Sequence, residues 1–567
     1  MIKLENITLQ IASKFLLENT SLQIEDGSKV GIIGENGCGK TTLFKTLKGE
    51  HEVNSGDIII TSRQIKAFAE QEIKEDDQNK TILDYVLSKD KRLMELQEKL
   101  QTSSSMEIAE ILEELRIIGA DSAEARTAEI LRGLGFNQDD LSRKVKDFSG
   151  GWQMRLNLAG ALFQYSDILF LDEPTNHLDI EAIVWLEDYL KRYSKTLLLI
   201  SHDRDFLNNV CNSIVHFEGK KLAIYRGNYD SFLRQYNQKI DLTSKAIEKQ
   251  NQQKAHLQSY VDRFRYKASK AKQAQSRLKM LEKMEDIEEI GQERDEKFIF
   301  PTIKTLPSPL IKTEKASVGY GSKVVLKNLN LYLNQDDRVA LLGKNGNGKS
   351  TLVKMLSGRL ELFDGIMNKS QKLKIGYFHQ NQAEVLPLEQ TPVEYIQSLV
   401  QGMLEKNVRS FLANFGLAQE KSVTKISDLS GGEKTRLLFA AMSLDAPELL
   451  IFDEPTNHLD MKGRRALADA INMYNGAIIL ISHDFYLLEM VVDTLWLVDN
   501  NTCTLYDGSL KDYRDFLLNK EGLNSVKPVK KQPQISNRNN KDERKDRVKL
   551  REIEKKIKEV EEKKDKL

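Results

Sequence analysis

The chain has 567 residues, more than the roughly 250 to 300 at which one hydrophobic core stops growing, so at least two domains are expected. An apolar fraction of 40% permits sizeable cores, and 84 basic against 84 acidic residues exclude naming a nucleic-acid or membrane partner from net charge alone. Three scattered cysteines exclude a disulfide framework, no apolar run nears the roughly 20 residues that span a bilayer, and MIKLENITLQ lacks a signal-peptide core, so a soluble cytoplasmic protein is expected.

The first motif is GENGCGKTT at 34–42, preceded by the strand-like VGII and followed by the helix-like TLFKTL. That is the strand, loop and helix context of a phosphate-binding P-loop. Gly34, Asn36, Gly37 and Gly39 form a cradle of backbone N–H groups, Lys40 reaches the outer phosphates, and Thr41, followed by Thr42, ligates magnesium. Gln71 lies 37 residues beyond Gly34. DKRLMELQEKL and MEIAEILEELRIIG, within about 82–127, predict a helical hairpin insertion. Then comes FSGGW, with Ser149, Gly150 and Gly151, and 24 residues after that serine the strand ILFLDE ends in Asp172 and Glu173. A buried parallel strand presents ligands at its carboxyl end. Asp172 is placed to hold magnesium through its water shell, and Glu173 stands one residue closer to the attacking water. A further 29 residues lead to His202.

Residues 229–307 are polar and charged, with Phe232, Tyr236, Ile240, Ile247, Leu257, Tyr260, Val261 and Phe264 at helical spacing, and Leu278, Leu281, Met284 and Ile287 beyond a break near 267–270. Two antiparallel helices are predicted, the first of about 36 residues and roughly 54 Å. Arg263, Arg265, Lys267, Lys270, Lys272, Arg277, Lys279 and Lys283 face only Asp262 and Glu282, a local excess of six positive charges (eight minus two). Such a run is usually a solvated face. Its place at the tip of a rod, interleaved with Tyr260, Phe264 and Tyr266, favours RNA.

The second half, 308–520, repeats the first. GKNGNGKST supplies Gly343, Asn345, Gly346, Gly348, Lys349, Ser350 and Thr351; Gln380, then Ser430, Gly431 and Gly432 of LSGGE, Asp453 and Glu454 of LLIFDE, and His483 follow. The intervals of 37, 24 and 29 residues recur, and DEPTNHLD occurs at 172–179 and 453–460. Only glutamine to signature serine differs, 78 against 50, which leaves about 28 extra residues in the first copy. A lone P-loop pattern can be a glycine turn and a lone His202 a structural histidine; recurrence at equal offsets removes those readings. His177 and His458, inside the octapeptide, stay divided between interface packing and communication with the nucleotide. Beyond 520 the chain is polar, and Leu550, Ile553, Ile557, Val560 and Leu567 predict the start of a coiled coil.

Signature, P-loop, glutamine, Asp-Glu and histidine at these spacings resemble the ABC ATPases. The resemblance implies an α/β fold of two P-loop cassettes, 1–228 and 308–520, joined by a helical linker, with an arm in the first and a coiled-coil start over 521–567. It implies ATP and Mg2+ in two composite sites. One would join Lys40, Thr41, Gln71, Asp172, Glu173 and His202 to Ser430 and Gly432; the other would join Lys349, Ser350, Gln380, Asp453, Glu454 and His483 to Ser149 and Gly151. Tandem cassettes, DEPTNHLD and the connector SYVDRFRYKASKAKQAQSRLKMLEKME are similar to the ABC-F proteins, of the bacterial housekeeping branch. That resemblance implies a ribosome partner, both rRNA and tRNA, bound near the tRNA exit site, with the linker reaching toward the peptidyl-transferase centre. Resistance by ribosome protection uses the same scaffold but generally a longer connector; a transporter ATPase is disfavoured by fused cassettes and a basic rod. Two departures stand out: Ile11 aligns with Tyr320, the aromatic that would stack adenine, and Trp152 stands where the second signature has Glu433.

Overall fold

Five-residue apolar runs become buried parallel strands. In the first half Lys66–Phe68, Ile168–Asp172, Thr196–Ile200, Lys29–Ile33, Ser213–Glu218 and Lys221–Arg226 lie side by side in that order, the last antiparallel and the others parallel. The second half repeats the order with Ile375–Phe378, Leu449–Asp453, Ala477–Ile481, Arg338–Leu342, Thr494–Asp499 and Thr502–Leu505. Parallel neighbours require crossovers. The P-loop, the Asp-Glu pair and the histidine therefore all leave the same edge of the sheet. Register sets Asp172 against Ile200 and Asp453 against Ile481, which brings Glu173 beside His202 and Glu454 beside His483.

The computed structural model describes residues 1–11, 14–61, 64–70, 73–102, 105–176, 178–264, 298–379, 385–400, 402–456 and 459–520. The expectations placed on Gln71, Gln380, His177, His458, Arg265, Lys267, Lys270, Lys272, Arg277, Lys279 and 521–567 lie outside them. Both halves fall within one compact unit, Met1–Leu518; the second unit, Asn519–Leu567, is almost wholly outside the described residues.

A small antiparallel sheet flanks each P-loop. Ile2–Ile11 runs between Lys14–Ile24 and Ser55–Ile60, and Ile311–Tyr320 pairs with Lys323–Leu329, Tyr332–Leu333 and Asp364–Lys369. Ile11 sits opposite Lys14 and Tyr320 opposite Lys323, the same hairpin end in both. In the first half, helices Lys91–Thr102 and Ser105–Ile117 bury Leu93, Leu96, Ile111 and Leu115. These side chains join Ile82, Tyr85 and Ala123 in one core with the cassette, so the paired helices within the expected 82–127 pack onto the first half.

The halves meet through apolar and charged contacts. Ile180 and Val184 of helix Ile180–Arg192 join Phe298, Phe300, Phe452 and Phe485 in the core of the second half. Burying each such side chain contributes about 1.5–3 kcal/mol. Arg514 of helix Leu510–Lys520 pairs with the buried Glu187. Helix Tyr229–Phe264 has 36 residues, about 54 Å at about 1.5 Å per residue. Its base is clamped by Phe232, buried against Tyr225 and His216, and by Lys239 on Glu218 at 2.7 Å. Past Phe232 none of its described side chains is buried. Among the described residues no helix is long and apolar enough to cross a membrane.

Candidate active sites

Each P-loop turns on glycines that other residues could not replace. Gly37 and Gly346 have φ of 74° and 88°, and an added Cβ would meet nothing within 4 Å, so backbone conformation alone demands glycine there. Gly39 and Gly348 cap helices Lys40–Lys48 and Lys349–Ser357, which aim their N-termini at the loop. Lys40 Nζ donates to the Gly34 and Glu35 carbonyls at 2.8 and 2.9 Å, and Lys349 Nζ to those of Gly343 and Lys344 at 2.5 and 3.2 Å. Both ammonium groups thus lie folded over the cradle.

At the ends of the acidic strands the backbone is strained. Glu173 and Glu454 adopt φ of 48° and 53°, held by N–H bonds of 2.9 Å to the Ile200 and Ile481 carbonyls. A non-glycine residue in this region costs about 1–3 kcal/mol, a strain that clusters where geometry serves function. His202 donates its backbone N–H to Glu173 Oε2 at 3.4 Å, while its Nε2 lies 3.1 Å from Asn36 Oδ1. His483 Nε2 lies 3.2 Å from Glu454 Oε1, not aligned as a hydrogen bond. In both glutamates Oε1 is buried without a hydrogen-bond partner among the described residues, an oxygen that a positioned water would satisfy. Burial lifts the Glu173 carboxyl to about 7, against the pull of Arg464 and Lys40, and pushes the His202 imidazole down to about 3. Burial raises Glu454 and depresses His483 in the same directions.

These groups converge on two cavities. One, of about 570 Å³, is lined by Asn36, Gly37, Gly39, Lys40, Thr41, Thr42, Asp172, Glu173 and His202 from the first half and by Ser430, Gly431 and Gly432 from the second. The other, of about 640 Å³, is lined by Asn345, Gly346, Lys349, Ser350, Asp453, Glu454 and His483 from the second half and by Ser149 and Gly151 from the first. Each P-loop thus faces the other half's signature. Gly34, Gly343, Gly348, Thr351, Gly150 and Tyr320 are not among the lining residues. The exposed ring of Tyr320 lies 5.7 Å from Nζ of Lys354, which does line the second cavity, whereas Ile11 lines the first directly. The donor set fits magnesium, a hard cation that takes hydroxyl, carboxylate, water and phosphate oxygens. Ser350 donates to Asp453 at 3.1 Å, and Thr41 bonds Asp172 likewise.

The two signatures differ in a way that the single letter Trp152 announces without explaining. Ser430 caps helix Gly431–Ser443 in a reciprocal box, its N–H donating to Glu433 Oε2 at 2.9 Å and its hydroxyl accepting from Glu433 N at 3.3 Å. Trp152 cannot close such a box. It packs on Phe136 at 4.8 Å and under Arg155 at 4.5 Å, and Ser149 makes no side-chain cap bond. Reading motifs alone also misses Asn176, Arg359, Tyr377, His379 and Arg464, which line the cavities. Asn176, shared by both octapeptides, was available as a signal; the others stand outside any repeated motif.

A family model described as ABC transporter matches residues 17–176 and 326–457, and a second of the same description matches 215–300. The "Probable ATP-binding protein YheS" of Escherichia coli strain K12 is 42% identical over 521 residues, covering 91% of this chain and 82% of that protein. "ABC transporter F family member 2" of Dictyostelium discoideum is 37% identical, covering 91% and 88%. The chain belongs to the ABC-F family. As an ABC-F protein it is an ATPase built from two ABC cassettes. The fold of this chain is similar to that of a solved structure of archaeal ribosome recycling factor aABCE1 with the ribosomal stalk protein aP1, at TM-score 0.60 and 17% identity over 90% of this chain and 92% of that one.

Proposed function

We propose that ATP with Mg2+ closes both composite cavities and that the closed protein binds the ribosome near the tRNA exit site, touching rRNA and tRNA. Its linker adjusts tRNA at the peptidyl-transferase centre, and hydrolysis ends the encounter in the cytoplasm. The observation that carries this reading is that each cavity joins one cassette's P-loop to the other's signature, on a chain whose 36-residue helix starts from the first cassette. Lys40 and Lys349 neutralise phosphate charge. Glu173 and Glu454 position the attacking water, and the neutral His202 and His483 orient it toward phosphorus. Thr41 and Asp172, or Ser350 and Asp453, would hold a magnesium ion, which would supply charge neutralisation when bound. ABC-F membership supports the ribosomal partner, as do relatives in fold described as a ribosome recycling factor and as a ribosome-bound complex.

The test is co-sedimentation with ribosomes of a Glu173→Gln, Glu454→Gln variant. The protein is expected in the ribosomal pellet with ATP and in the supernatant without it. A variant that binds ATP yet stays in the supernatant in both cases sinks the ribosomal reading.

A further inference from the structure

Arg464 lines both cavities and belongs to no repeated motif. It stands in helix Met461–Met473 of the second cassette, in the turn after the octapeptide. Its Nη1 donates to Asp484 Oδ2 at 2.9 Å and its Nε to the Leu459 carbonyl at 3.2 Å, and its side chain is only 12% exposed. Asp484 directly follows His483 and caps helix Phe485–Val491 by accepting from Leu487 N at 3.0 Å. One end of Arg464 is therefore anchored to the histidine turn of the second site. In the first cavity the same guanidinium shares the wall with Lys40, Glu173 and His202, which all come from the other cassette. The first cassette has no arginine at the matching position, and the guanidinium it does bring to the second cavity, Arg155, is held within its own cassette by Asp179 at 3.7 Å. The matching residue is Ile183 (464 − 281), which lines the second cavity with an apolar side chain.

We infer that Arg464 is a positioning residue supplied in trans to the first site, tied to the second through Asp484, so that the two sites are chemically unequal and linked. The inference rests on the reading that both cavities close on ATP. A largely buried guanidinium beside Lys40 adds positive charge where a phosphoryl group develops negative charge, and low surrounding dielectric strengthens it. Rearrangement of the His483–Asp484 turn when the second site fills would carry the guanidinium with it. For the second site Ile183 can do neither, and Arg155, which adds charge there, is tied to Asp179 of its own cassette and not to the histidine turn of the first site.

The experiment measures ATP turnover in two single-site backgrounds. With Glu454→Gln only the first site works; with Glu173→Gln only the second does. Arg464→Gln is expected to lower kcat in the first background by at least about fivefold more than in the second. Arg464→Lys, which keeps the charge, should recover part of the loss. Thermal midpoints and ATP binding of each variant check that the fold is retained. Equal losses in the two backgrounds, or no loss in the first, overturn the inference and leave Arg464 as an interface strut. Parental turnover by the Glu173→Gln, Glu454→Gln double variant defeats instead the reading of the sites themselves, and the Arg464 inference with it.

Discussion

Lys462 of the second cassette holds Glu35, in the first cassette's P-loop, at 2.9 Å. The pseudo-symmetric contact, Lys344 with Glu181 at 2.6 Å, repeats it with the charges exchanged. Both join one cassette to the other, and none of the four residues is among those lining the two cavities, so they would assist closure without touching the chemistry. Glu35→Lys would set like charges together. Because the pair is about half exposed, the ATP concentration needed for closure should rise by only about threefold, and less at high salt. Adding Lys462→Glu should restore it. A distance reporter across the two cassettes reads both; an unchanged midpoint for Glu35→Lys alone means the pair does not assist closure.

Glu173 and Glu454 share a strained backbone, a buried Oε1 and a neighbouring histidine. Replacing both with Gln keeps shape and removes the carboxylate, so ATP binding should persist and turnover should fall by at least about a hundredfold. Steady-state phosphate release together with nucleotide titration checks both halves of the statement.

Nucleotide bases should be held unequally. Tyr320 offers an aromatic ring at the hairpin end where the first cassette has Ile11, and stacking is worth about 1–3 kcal/mol. Tyr320→Ala should therefore weaken binding at the second site more than Ile11→Ala does at the first. Equal losses in titrations with each site isolated count against stacking.

The imidazole of His202 stays neutral down to about 3 because it is buried near Lys40 and Arg464. Unfolding exposes it to water, where it gains a proton below about 6.5. Its contribution is thus present above that value and is lost as pH falls toward 3, by up to about 1.4 kcal/mol per unit. Glu173, raised to about 7, acts with opposite sign: its contribution is present below about 4.5 and lost as pH rises through about 7. The parent's total slope therefore mixes the two. The difference between the parent and His202→Gln isolates the histidine, and the parent should lose more stability between pH 6.5 and 5 in denaturant titrations. Parallel curves dismiss the idea.

What the sequence made legible was local chemistry. A P-loop needs particular residues at particular spacings, so Lys40 and Lys349 could be named before any fold was known, and a 36-residue apolar periodicity matched helix Tyr229–Phe264. Facing of Ser430 toward Lys40 was legible only through family resemblance, because no spacing within one cassette encodes what the other presents. Arg464 was invisible: its counterpart Ile183 breaks the repeat, and a search for matching pairs discards it. The helical hairpin within 82–127 was legible from its periodicity, but its packing was not, since nothing local says that Leu93, Leu96, Ile111 and Leu115 share one core with Ile82 and Tyr85.

The last prediction concerns the basic run that follows helix Tyr229–Phe264. A rod of about 54 Å turns a small rotation at its clamped base into a large displacement at its far end, so binding there should depend on the closed state. Lys267, Lys270, Lys272 and Arg277 carry the charge that would neutralise phosphates. Replacing them with Gln should weaken ribosome binding and flatten its salt dependence by roughly one unit of slope for each phosphate left without a cation. ATP turnover without ribosomes should survive, since none of the four belongs to a cassette motif. The measurement is co-sedimentation across a salt series with Glu173→Gln and Glu454→Gln present, so that the closed state persists. Parental affinity together with parental slope would mean that the run is a solvated face, because a phosphate that the protein no longer neutralises keeps its counterions, and fewer ions released on binding cannot leave the slope unchanged.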